Sequence, residues 1–168
     1  MKKTNVDLKN QCNILLELLE REVALYRDLL NFSTRKQGAL VVMDAKDLTK
    51  ALCDVEIVVN EIKQSIKARS YILSELEEHL DLPSGTVSLK EVMDSGGEAT
   101  AKRYRGVSNT LAPILERLVL VNSGNMTLVN NILDYLDFAT QTLEYRNQGN
   151  IYMVKKGGRP DVFRISRS

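Results

Sequence analysis

His79 is the chain's one histidine, so any catalytic arrangement that needs an imidazole must pass through it. No glutamate stands three residues before it, which removes the Glu-x-x-His pair that a di-metal carboxylate bundle takes from each of two helices. Nor does the sequence place a serine or cysteine beside it as a nucleophile. Its position in the last turn of a leucine-rich helical stretch predicts a helix-end role, where a cation complements unpaired carbonyls. Cys12 and Cys53 form no CxxC pair and are expected to be two buried thiols in a reducing compartment. GxxxxGK[ST] is absent, and Gly96-Gly97 and Gly157-Gly158 have no expected strand before them, so no phosphate cradle is predicted. These residues exclude more than they assign. The chain is predicted not to be an enzyme, with no catalytic residue, no metal site and no cofactor.

The polar chemistry worth attention is of another kind. Between Val121 and Leu136 lie four asparagines and a glycine, inside an otherwise helical pattern. Each costs about 0.5 to 1 kcal/mol relative to alanine in a helix interior. Asn122 and Asn125 fall on consecutive positions of the apolar seam Leu111, Leu115, Leu118, Asn122, Asn125, Val129, Ile132, Leu136, Ala139 and Leu143. An amide there can fix the register of a helix partner while lowering stability, and it can equally serve the chain's own packing. Asn130 and Asn131 fall off the seam and should face solvent.

Long helices must carry that seam. Thr4 can cap a first helix, about 5–42, in which Leu8, Cys12, Leu15, Leu19, Glu22, Tyr26 and Leu29 recur at steps of four and three. Leu16, Val23 and Leu30 widen its apolar face toward bundle packing. Asp44 can cap a second helix, about 44–80, whose seam runs from Leu48 to Leu80 and includes Arg69. Leu82 to Gly85 stops it, and Ser88 with Glu91 is a capping-box signature for a short third helix, about 88–95, ended by Gly96 and Gly97. A fourth helix is expected over about 98–146, kinked at Pro113. Glu61, Lys63, Glu75 and Glu77 are read as solvated faces. The fold class is therefore all-α: long antiparallel helices in a coiled-coil-like bundle over 1–146, one short connector helix, and a flexible basic C-terminal tail over 147–168.

Composition agrees. Apolar residues make up 43% of the 168 residues, with 5% aromatics and no tryptophan, a leucine-rich balance typical of helices. The net charge of +1 gives no global case for nucleic acid, although from Arg146 onward six basic residues face only Asp161. The longest apolar run, Ala39 to Met43, is too short to span a bilayer, so no direct membrane insertion is expected. No secretory h-region follows the first lysines, and the expected location is cytoplasmic.

In the fourth helix Leu120-Val121-Asn122-x-x-Asn125-x-x-Leu128, then Leu133, then Tyr152 with Gly157 five residues on, resembles the FlgN family of bacterial flagellar export chaperones. Glu22, Tyr26, Leu29-Leu30, Lys36, Ala39-Leu40-Val41, Asp44, Leu48 and Glu56 follow in the family's order in the first half. Two departures are Gly124 between the asparagines and the length of the connector from Leu82 to Gly97. The resemblance implies a type III secretion chaperone that binds hook-associated (hook-filament junction) proteins, keeps their polymerising ends apart and delivers them to a membrane export gate component. It implies client binding by Leu118, Asn122, Asn125, Val129, Ile132, Leu136 and Leu143. It implies gate docking by Tyr152, Lys155 and Lys156. The alternative from periodicity is a structural coiled-coil dimerisation protein; a homodimer is left open.

Overall fold

A computed structural model describes the backbone of residues 5–80, 83, 85, 88–147, 151–156 and 159–164, and the side chains of 8–78, 83, 85, 88–94 and 96–142. Thr4, Leu82, Ser84 and residues 148–150 lie outside the described residues, as do the side chains of His79 and Leu80. The helical body is all-α, with α1 (Asn5–Val42), α2 (Ala45–Leu80), α3 (Leu89–Ser95) and α4 (Glu98–Asn147). Each helix begins and ends within one residue of the span read from the sequence. The chain divides into two compact units, Met1–Asn125 and Met126–Ser168.

In the first unit α1, α2, α3 and the start of α4 pack as a bundle. Side-chain pairs set the directions. Glu22 meets Ser65 and Arg69, while Arg35 meets Asp47 and Asp54, so α1 and α2 are antiparallel. Glu20 meets Arg103 and Ser33 meets Asn125, so α4 runs the same way as α1. One apolar cluster joins Cys12, Leu15, Leu16 and Leu19 of α1 to Leu76 of α2 and to Val92 and Met93 of α3. Each of its fully buried leucines contributes about 1.5 to 3 kcal/mol. A second joins Leu25 to Val58 and Ile62.

The charged residue in the α1 seam and the charged residue in the α2 seam are partners. Glu22 is 1% exposed. Its carboxylate accepts from Arg69 Nη1 at 3.0 Å and from Ser65 Oγ at 3.1 Å. Tyr26 lies one turn away, and burial, with Glu22's charge second, raises its hydroxyl above the ordinary 10.0.

The α1–α2 turn is closed by Met43 N–H to Leu40 O and Asp44 N–H to Ala39 O at 2.9 Å, the paired bonds of a Schellman motif. Met43 therefore sits at φ +54°, a conformation that glycine usually supplies. Asp44 Oδ1 then accepts from Asp47 N–H and caps α2 as expected. Arg35 bonds Asp47 beside it and holds that carboxyl below its usual range.

Ser88 and Glu91 form the expected capping box of α3. Gly97, at φ +95°, makes the turn into α4, and α4 continues through Pro113 as one helix. Proline removes the N–H that would bond the Asn109 carbonyl, and both residues are exposed, where water can take that carbonyl.

Three local expectations change. Cys53 is exposed while Cys12 is buried, because position 53 falls beside the α2 seam and not on it. Glu77 is buried, and its carboxylate accepts from Gly85 N–H at 2.9 and 3.0 Å, satisfying a connector amide. The tail read as flexible contains an antiparallel hairpin in the second unit, β1 (Ile151–Lys156) paired with β2 (Arg159–Arg164). Gly157-Gly158 does have a strand before it, and two glycines between Lys156 and Arg159 are a hairpin signature.

Candidate protein-binding site

α4 begins with Glu98, whose charge complements the amino end of the helix. The zigzag of its apolar seam covers two neighbouring edges of one cylinder. Within the first unit one edge is buried, carrying Leu118, Val121 and Asn125. The other is open, carrying Leu115, Val119 and Asn122. Within the second unit Met126, Val129, Leu133 and Leu136 step by three and four and are all exposed, Leu133 and Leu136 by half their surface. Tyr135 and Phe138 are exposed with them. Leu128, Ile132 and Ala139 are half-buried.

Asn125 is 3% exposed. Its Nδ2 donates to the Ser33 carbonyl at 3.0 Å, while its Oδ1 is buried with no hydrogen-bond partner. The helix it meets is thus α1 of its own chain. An open acceptor in a covered seam costs about 1 to 3 kcal/mol, so the α1–α4 contact carries a built-in weakness. At Gly124 a Cβ would lie 2.8 Å from Gln37 Nε2. The departure from the family pattern lets the end of one flexible side chain rest against α4.

The residues predicted to bind a client are therefore not one surface. Leu118 and Asn125 are buried, Ile132 is half-buried, and Asn122, Val129 and Leu136 are exposed. Leu143 lies in α4 with its side chain outside the described residues. Asn130 and Asn131 are exposed, as expected. Tyr152, Lys155 and Lys156 lie in β1, where their Cα partners are Phe163, Pro160 and Arg159; their side chains are outside the described residues.

Met126 and Leu133 belong to the exposed stripe and are absent from the predicted set. The signal was present, since both keep the four-and-three step when the stripe is started at Val119. Among the described residues no group of three or more His, Cys, Asp or Glu is placed to hold a metal ion. No described helix is long and apolar enough to cross a membrane. What the arrangement offers is an apolar helix face with little charge on it, a surface suited to another amphipathic helix.

Neither a curated protein nor a solved structure gives a significant match to the chain. The family described as FlgN protein matches residues 11–159. That span takes in all of α2, α3 and α4 with most of α1, and on it the chain belongs to the FlgN family.

Proposed function

We propose that the protein is an export chaperone that holds hook-filament junction proteins in the cytoplasm before their secretion, keeps their polymerising ends apart and hands them to the flagellar export gate. The observation that carries this reading is the exposed stripe of Met126, Val129, Leu133 and Leu136 on a chain of the FlgN family. A client helix with apolar residues at i, i+3, i+4 and i+7 fits such a stripe. Asn122, Val129, Ile132, Leu136 and Leu143 are its client-binding residues. Leu118 and Asn125 act by holding α4 to α1. Tyr152, Lys155 and Lys156 on the hairpin dock to an acidic surface of the gate component.

Binding needs no nucleotide in this scheme. The apolar stripe supplies affinity, and Asn122 disfavours wrong registers. The test is titration of the purified protein with a purified hook-filament junction protein, beside Val129→Asp with Leu136→Asp. Both positions are exposed, so the variant keeps its fold and loses the client. Undiminished binding by a folded variant overturns the assignment of the stripe. Truncation after Asn150 should spare client capture and weaken docking to the gate, and equal loss of both would show that the two functions are not separate. If the stripe instead holds two copies of this chain together permanently, the wild type sediments as a dimer that no client dissociates.

A further inference from the structure

α3 is a seven-residue helix, yet it supplies two buried residues to the larger of the two apolar clusters among the described residues. Val92 is 3% exposed and Met93 is fully buried, with Leu89 packed beside them. Those three residues stand at i, i+3 and i+4, the spacing of an amphipathic helix seated in a groove. The groove is made by Cys12, Leu15, Leu16 and Leu19 of α1 and Leu76 of α2, with Tyr104 and Val107 of α4 packed against the same cluster. Cys12 Sγ donates to the Val92 carbonyl at 3.3 Å. Local devices also hold α3, the capping box at Ser88 and the turn at Gly96 and Gly97. A segment this short cannot sustain a helix without the surface beneath it.

We propose that α3 is a detachable plug, and that the cleft it leaves between α1 and α2 is a second helix-binding surface, filled by a client helix presenting apolar residues at i, i+3 and i+4. This rests on the reading of the chain as a helix-capturing chaperone. The occupant is defined by α3 itself, which shows what spacing the cleft accepts. Release is local because the remaining contacts of α1 with α2, including the Glu22 network and the Leu25 cluster, do not involve α3.

Cys12 reports the plug independently of any client. Cys12 is fully buried against Val92 of α3, so it reacts when α3 lifts, while exposed Cys53 reacts at once and serves as the internal standard. In native buffer a thiol reagent should label Cys12 of the full chain slowly, at a rate nearly independent of low urea. Ser88→Ala should speed it about fivefold, the factor expected from losing one helix cap. Val58→Ala, in the other cluster, should leave it unchanged. A Cys12 rate that follows global unfolding, or one that Ser88→Ala does not alter, overturns the plug.

The cleft is tested with a purified hook-filament junction protein. Ser88→Ala should tighten capture about fivefold, because affinity scales with the open fraction. Gly96→Cys combined with Thr100→Ala offers a lock, since a Cβ at position 96 lies 3.1 Å from Cys12 Sγ, a separation a disulfide can bridge, and Thr100→Ala removes the methyl that would stand 2.8 Å from it. The oxidised variant should lose affinity and the reduced one regain it. Unchanged capture by Ser88→Ala, or full capture by the oxidised lock, overturns the cleft. Failure of the wild type to bind any such client would remove the proposed function and leave the plug to be judged on Cys12 alone.

Discussion

Glu22 and Arg69 show what a single charged residue in an apolar seam is worth. Removing one member of a buried pair leaves the other uncompensated, which costs about 3 to 5 kcal/mol in a dry interior. Arg69 keeps a quarter of its side chain exposed, so solvent lowers that figure. Glu22→Ala should therefore cost about 2 to 4 kcal/mol in urea unfolding, while Glu22→Leu with Arg69→Leu should recover most of the loss. A single-variant loss below about 1 kcal/mol would assign the pair to the weak surface class. Tyr26 gives the same site a pH signature. Its folded pKa is raised above 10.0 by burial and by Glu22, so its contribution is complete below pH 10 and is lost as pH rises through the folded value. Tyr26→Phe should flatten the decline in stability above pH 10, and an unchanged slope in alkaline unfolding curves would assign that decline to other groups.

At the scale of elements, two joints carry conformations that their residues do not favour. Met43 occupies the left-handed position that ends α1, where a side chain costs about 1 to 2 kcal/mol. Met43→Gly removes that strain while loosening the unfolded chain, for a net gain of about 0.5 to 1 kcal/mol in thermal unfolding. Loss of stability would mean that the exposed methionine makes contacts worth more than the strain. The α1–α4 contact holds the other compromise. Asn125→Leu removes an unpaired buried oxygen and adds apolar burial, and should stabilise the protein by about 1 to 2 kcal/mol. Asn122→Leu, at an exposed position, should change stability by no more than the helix-propensity difference of about 0.5 kcal/mol. Equal effects of the two substitutions would show that Asn122 is covered in solution.

For the molecule as a whole, more than three-quarters of the chain is helical, and the charge is divided, with a basic segment from Arg146 after a mildly acidic body. The two proposed contacts should therefore respond to salt in opposite ways. Client capture through an apolar stripe should hold or strengthen as ionic strength rises, whereas docking of the basic hairpin to an acidic surface should weaken as screening shortens the range of its charges. Titrations of both contacts between low and high salt measure this directly. Parallel weakening would place charge, not apolar area, at the centre of client binding.

Helix positions were legible from local rules. The steps of four and three, Asp44, the Ser88–Glu91 box and the glycine pair at 96 and 97 each act within a few residues, so spacing alone places them. The hairpin was legible too, through Gly157-Gly158 between two short runs of strand character, but loss of helical period reads more readily as loss of structure. Several features lay beyond local rules. Glu22 and Arg69 are far apart in the chain, and only the antiparallel packing of α1 on α2 makes them partners. Asn122 and Asn125 look alike in a heptad, because both lie within the width of one apolar face. Their difference depends on how far α4 is rotated about its own axis against α1, and that angle is decided by packing over the whole of the first unit. It buries Asn125 against Ser33 and leaves Asn122 open, a choice that only the tertiary structure makes.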